Sequence, residues 1–250
     1  MTLIREHIPY YREIFKFSDF WREKFLMIGL PYMEGSHIPT DFRFPNLKDL
    51  VLSHDLKKVY SVDLYDANAD FRWDLNLPVP KKFNNTFKVL IDIGTLEHIF
   101  DTRQCLENYF HLVANGGLFV LVTPVNGFFG HGFHVFNPET LLSALDKNGF
   151  KVMYKKFITS TGIEITDPDL PGNILLWIVA NKVKKIDKFI IPQQVYWKKM
   201  YSPKRKHNSS ILEKTTITND VKFYLSDLKR WVLRKLPIGY RTQLYRQIRT

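Results

Sequence analysis

At 250 residues, 45% of them apolar and 15% aromatic, the chain can bury a sizeable core and falls outside the disordered and fibrous classes. The net charge of +11 is unevenly spread: residues 182–250 hold 18 lysines and arginines against 4 acids, whereas residues 1–181 hold 18 against 21. A mildly acidic body over residues 1–183 and a basic extension over residues 184–250, each with its own partner, is the expectation. Cys105 stands alone, which excludes an intrachain disulfide and favours a reducing compartment. Residues 1–17 lack the apolar region of a signal peptide, and no stretch reaches eighteen uncharged apolar residues, so a cytoplasmic protein is expected.

In chain order, Lys24 to Gly29 (KFLMIG) is a short apolar run closed by glycine and reads as a strand, followed by a helical pattern from Asn46 to Leu56 and a second strand from Val59 to Asp63. Thr86 to Ile93 (TFKVLIDI) and Gly117 to Thr123 (GLFVLVT) read as strands flanking a helix. That helix has Asp101 as its cap and Gln104 three residues on, a stripe of Leu106, Tyr109, Phe110 and Val113, and Gly116 past its end. The next helix has Asn137 as N-cap, Pro138 at its first position, Leu141, Leu142 and Leu145 facing inward, and Gly149 past its end. Strands over Phe150 to Thr159 and Ile174 to Asn181 follow, around the DPDLPG loop of Asp167 to Gly172. Near-continuous apolar strands alternating with helices predict an α/β fold with a mostly parallel sheet covered on both faces, and the late strand pair predicts a reversed edge strand.

In such a sheet ligands sit at the carboxyl ends of the strands, here just after Gly29, Asp63, Ile93 and Thr123. Asp63 ends the second strand, where a carboxylate can accept both hydroxyls of a ribose. Asp74, in FRWDLNLP, stands where a carboxylate can take a hydrogen bond from an exocyclic amine. Glu97 and His98 follow the third strand, and Asn126, His131 and His134 follow the fourth in VNGFFGHGFHVFNPE. These histidines can act as bases because imidazole titrates near neutrality.

The run from Val89 through Phe150, an aspartate-bearing strand, LEHIFD, a helix, NGGLFVLVTP and a helix closing in NGF, resembles the class I S-adenosylmethionine-dependent methyltransferases, with the likeness spanning roughly residues 20 to 181. The resemblance implies a Rossmann-like, seven-stranded sheet and S-adenosyl-L-methionine as cofactor. Carried over by position, Asp63 would hold the ribose and Asp74 the adenine, with Gly29, Ile93 and Gly94 near the rest of the cofactor. Two departures stand out. The glycine-rich loop of the family is replaced by IGLPYMEGS, with Pro31 and Tyr32 inside the turn, and the stretch from Asp63 to Asp74 is too short for a strand–helix–strand unit, so the sheet is shortened by a lost helix. Some relatives hold a divalent metal through an E-x-x-E-H segment. Gly94 occupies the place of the first carboxylate here, so no metal is expected, although Glu97, His98 and His131 together could still hold one; Glu97, His98 and His134 are left as the catalytic candidates and Asn126, His131 and His134 as substrate contacts. GHGFHVFNPE resembles a segment of methyltransferases associated with bacterial surface glycans, which implies O-methylation of a nucleotide-linked or lipid-linked sugar. A cofactor-free binding protein and an RNA methyltransferase are the alternatives.

In the extension, Val221, Tyr224, Leu225, Leu228 and Val232 recur at helical spacing, with Lys222, Lys229, Arg230, Arg234 and Lys235 off that stripe. An amphipathic basic helix over residues 219–236 can meet an anionic membrane surface or dock on the body. No nucleic-acid-binding motif accompanies the charge.

Overall fold

Strands β1 (Phe25–Ile28), β2 (Val59–Val62), β3 (Phe87–Ile93), β4 (Val113–Asn126), β5 (Phe150–Thr159), β6 (Glu164–Ile165) and β7 (Ile174–Lys182) form one sheet in the order β2-β1-β3-β4-β7-β5-β6. The computed structural model describes residues 5–17, 24–29, 59–166 and 172–194, all in the first of the two units into which the chain divides, Met1–Gln194. The expected helix at 46–56, the loop beyond Gly29, most of the DPDLPG loop and the basic helix at 219–236 lie outside the described residues.

Neighbours β2, β1, β3 and β4 pair in parallel, while β7 runs antiparallel to both β4 and β5. The expected reversed edge strand is corrected here. The reversed strand β7 lies inside the sheet, and the edge is the two-residue β6, antiparallel to β5. Nearly every residue of β7 is buried, the pattern of a strand flanked on both sides and covered on both faces.

Side-chain alternation along the strands divides the core in two. Leu26, Ile28, Leu90, Phe119, Leu121, Leu176 and Ile178 face helices α2 (Thr102–Leu112) and α3 (Pro138–Lys147). Phe25, Met27, Val89, Ile91, Val120, Val122 and Trp177 face the other way, toward Tyr11 and Ile14 of α1 (Ile8–Phe15). The Trp177 ring is tilted against Tyr11 at 4.9 Å and meets His7 edge-on at 5.3 Å. Among the described residues no helix is long and apolar enough to cross a membrane.

Both helix caps are as expected: Asp101 accepts from the Gln104 N–H at 2.9 Å, Asn137 accepts from the Glu139 N–H at 2.8 Å, and Gly149 follows α3 with φ of +78°. Gly116 does not follow directly on the end of α2. The helix stops at Leu112, Val113 already pairs with Phe87, and Gly116 lies in a bulge between that pair and Val89–Leu118. The helix expected to be missing after β2 is missing. Residues 63–70 make turns only, and a single parallel bridge joins Val62 to Phe71. Asp70 Oδ2 accepts from the Ser61 N–H at 2.7 Å and its hydroxyl at 2.9 Å, and Tyr60, Phe71, Trp73 and Phe83 form an aromatic cluster over this region.

A buried cation fixes the junction of α2 with the sheet. Lys182 is 1% exposed, and its Nζ donates to the carbonyls of Phe110 (2.6 Å) and Val113 (2.7 Å) and to Asn85 Oδ1 (3.1 Å). Burial lowers its pKa to about 8, and at neutral pH it remains an ammonium whose three protons meet three acceptors. Two of those acceptors lie at the carbonyl end of α2, where the helix dipole favours a cation. Lys182→Met keeps much of the volume and strands the acceptors, at about 1–3 kcal/mol for a buried polar group left unpaired. Urea denaturation is expected to show a loss of about 2 kcal/mol or more, and an unchanged midpoint would contradict this role.

Candidate functional site

The turn after β3 is built on one buried carboxylate. Asp92 is fully buried, its Oδ1 accepting from the Thr95 N–H at 2.7 Å and its Oδ2 from the Leu96 N–H at 3.0 Å and the Tyr109 hydroxyl at 2.9 Å. Burial pushes its pKa up to about 6 against the pull of these donors, so at neutral pH it is a carboxylate with three hydrogen bonds. The chain reverses over Gly94, at φ of +85°, into a 3₁₀ turn at Leu96–His98. Thr95 then donates from its hydroxyl to the Ile28 carbonyl at 3.2 Å, tying this turn to the end of β1. At Gly29, φ is +73° and a Cβ would stand 2.6 Å from the Thr95 hydroxyl, so the two turns meet only because that position is bare.

Beside these turns lies a cleft of about 360 Å³ at the carboxyl ends of β1, β2 and β3. The chain crosses from one side of β1 to the other between β2 and β3, which makes this the switch point of the sheet. All five residues expected to hold the cofactor, Gly29, Asp63, Asp74, Ile93 and Gly94, line it, together with His98. Asp63 Oδ1 accepts from the N–H groups of Tyr65 (2.9 Å) and Asp66 (3.1 Å), which shapes the turn after β2. Asp74 Oδ1 likewise accepts from the backbone N–H of Asn76 (2.9 Å) and its side-chain amide (2.8 Å). Among the described lining residues there is no lysine and no arginine.

Glu97 points inward. It is fully buried; its Oε2 accepts from the Thr123 hydroxyl at 3.1 Å, while Oε1 has no hydrogen-bond partner among the described residues and lies 3.9 Å from His131 Nε2. Burial and the neighbouring Asp92 push the Glu97 pKa up to about 8. Burial first, and His131 second, hold His98 below the ordinary imidazole range, so at neutral pH it is an uncharged Lewis base. The His98 and His131 rings meet edge-on at 4.9 Å. His134 and Asn126 are not among the residues lining the cleft: His134 Nε2 lies 3.2 Å from the Phe100 carbonyl, and Asn126 Oδ1 accepts from the Gly127 N–H at the end of β4.

Sequence reasoning gave no site role to Asp92, Thr95, Trp73 or Phe100. An aspartate inside the apolar run TFKVLIDIG was the available signal for the first, since a buried carboxylate requires donors of its own. The aromatics beside His131 and His134, Phe133 among them, read from the sequence as a setting for a sugar face or as packing onto the core, and Phe133 is exposed. Phe100 and Phe133 meet edge-on at 5.8 Å and are largely exposed at the cleft.

No protein-family model and no curated protein sequence match the chain. Among solved structures it is similar to the 1,6-didemethyltoxoflavin-N1-methyltransferase of Burkholderia thailandensis with bound 1,6-didemethyltoxoflavin and S-adenosylhomocysteine, at 14% identity over 72% of this chain and 79% of that one, with a TM-score of 0.46. It is also similar to an S-adenosylmethionine-dependent methyltransferase of Mesorhizobium loti, at 15% identity over 70% and 97% of the two chains, TM-score 0.45. A third is a methyltransferase of Methanosarcina mazei, at 13% identity over 74% and 100%, TM-score 0.45.

Asp92→Asn tests whether the carboxylate organises the site. An amide must turn its NH₂ toward a donor, either the Thr95 N–H or the Leu96 N–H and Tyr109 hydroxyl. A loss of about 2 kcal/mol in unfolding free energy is expected, with faster amide exchange at Thr95 and Leu96. Wild-type exchange at both amides would overturn the assignment.

Proposed function

We propose that this chain binds S-adenosylmethionine in the cleft at the switch point and transfers its methyl group to an acceptor hydroxyl. One observation carries the reading: the cleft presents the carboxylates of Asp63 and Asp74 and, among its described residues, no lysine or arginine. A dinucleotide or nucleoside triphosphate brings phosphates that call for cations or a crowd of N–H donors. A nucleoside bearing a sulfonium and an ammonium brings positive charge, which carboxylates favour. Asp63, ending β2, is suited to the ribose hydroxyls and Asp74 to the adenine amine, while bare backbone at Gly29 and Gly94 allows close approach of the remainder.

Methyl transfer asks little more of the protein than alignment, because the sulfonium leaves as a neutral thioether. The acceptor oxygen attacks the methyl carbon, the carbon–sulfur bond breaks with its electrons going to sulfur, and the hydroxyl proton passes to the uncharged imidazole of His98. His98, uncharged and facing the cleft, is the group beside which the acceptor would lie. Phe100 and Phe133 offer exposed aromatic faces at the same cleft, which supports a sugar as the acceptor. Surface-polysaccharide assembly, with a nucleotide-linked or lipid-linked sugar, is the setting we propose on the likeness of GHGFHVFNPE.

Calorimetry with S-adenosylhomocysteine tests the reading. Asp63→Asn keeps an acceptor oxygen for the turn but removes the charge, and a charged hydrogen bond contributes about 1.5–3 kcal/mol, so affinity should fall by about tenfold or more. No heat of binding at millimolar ligand in the wild type would favour a cofactor-free binding protein. Once an acceptor is identified, His98→Ala is expected to lower turnover by about a hundredfold with little change in S-adenosylhomocysteine affinity. Equal turnover of the two proteins would remove His98 from the reaction.

A further inference from the structure

We propose that Glu97, His98 and His131 form a binding site for a borderline divalent cation of the zinc, cobalt or iron(II) kind. One ligand atom from each of the three residues lies within 4.8 Å of the others, and Glu97 Oε1 is 3.9 Å from His131 Nε2. A tetrahedral ion with ligands at about 2.0–2.2 Å sets them about 3.4 Å apart. Small inward movements of the two imidazoles therefore close the set. Two nitrogens and one carboxylate oxygen suit zinc, cobalt or iron(II) better than magnesium or calcium, which take oxygen ligands.

A second observation points to the same ion. Glu97 is fully buried with Oε1 lacking a hydrogen-bond partner among the described residues, an arrangement that is costly for a polar atom unless something meets it. Its other oxygen is held by the Thr123 hydroxyl at 3.1 Å, the kind of outer contact that fixes the direction of a ligating carboxylate.

The loop that supplies His131 is fastened to this spot. The His134 N–H donates to the Glu97 carbonyl at 3.1 Å. A Cβ on Gly132 would stand 2.9 Å from that carbonyl oxygen and 3.2 Å from His98 Nδ1, so only bare backbone lets the loop approach so closely. The segment lacks the first carboxylate of E-x-x-E-H, and the third ligand comes instead from across the loop. Three protein ligands leave a tetrahedral ion an open position for an oxygen, and His98 borders the cleft as well. Cation binding itself does not require the methyl-transfer reading, but an ion held by His98 would take up an imidazole lone pair, so with the ion bound the acceptor hydroxyl would be activated by the ion and not by His98 as a base. Use of the open position by an acceptor hydroxyl rests on that reading.

Chelator-stripped full-length protein titrated with cobalt(II) tests the site, read by visible absorption and by the bound metal that survives gel filtration. A single equivalent should bind, with the intense d–d bands of a four-coordinate nitrogen and oxygen site. His131→Ala, a change at a partly exposed loop position, should weaken binding by at least about tenfold while leaving S-adenosylhomocysteine affinity in place. Glu97→Gln should do the same, and His111→Ala, on the outside of α2, should not. Absence of a stoichiometric cobalt band, or wild-type affinity in His131→Ala, would overturn the proposal.

Discussion

The carboxylate of Asp92 is where sheet, helix and cleft are joined. It sits without solvent at the end of β3, and its oxygens are spent on the Thr95 and Leu96 N–H groups and the Tyr109 hydroxyl. The first two bonds fix the turn through Gly94, and the third ties that turn to the last turn of α2, whose carbonyl end is held by Lys182. From this turn come the Thr95 contact with the Ile28 carbonyl, the inward course of Glu97 and the exposure of His98 to the cleft. A buried carboxylate held by three donors in a low-dielectric interior is a rigid anchor, because any displacement strands several partners together.

The same interior makes charge decisive in the cleft. Asp63 and Asp74 are both also used as local acceptors in the turns after β2 and the Phe71 bridge, so the residues that shape the cleft wall are the ones that give it negative character. This coupling explains how a short turn-only connection can serve where a strand, helix and strand would be usual. The Asp70 contacts with Ser61 and the stacked rings of Phe71 and Trp73, 4.5 Å apart, hold the wall in place of the helix.

Much of the fold was legible because it rests on local rules. Asp101 and Asn137 cap helices by short-range hydrogen bonds, and the apolar runs at 87–93 and 174–182 are long enough to declare buried strands. That a late strand is reversed was legible from the strand pair, but its place was not, since an inner strand and a covered edge strand carry the same apolar sequence and only the pairing with both β4 and β5 puts β7 inside the sheet. The end of α2 was misjudged for a related reason: Val113 fits a helical stripe, yet pairing with Phe87 draws it into the sheet. That Gly29, Asp63, Ile93 and Gly94 line one cleft follows from their places at strand ends, which are readable positions, whereas Asp74 was placed there by the family resemblance. Glu97, His98 and His131 could be named from the sequence as a possible ligand set, but not their approach to one another, since it depends on a loop fold across 34 residues of sequence, set by the Glu97 carbonyl and the bare Gly132.

What joins these observations is a cleft whose carboxylates, with no lysine or arginine among the described lining, suit a nucleoside without phosphates over a phosphorylated one. A crystal structure of the chain grown with S-adenosylhomocysteine tests this most directly. The account predicts the ribose hydroxyls within hydrogen-bond distance of Asp63 and the adenine beside Asp74, with the thioether near Gly94. Ligand density at another place on the sheet, or a cleft that stays free of ligand at saturating concentration, would contradict it.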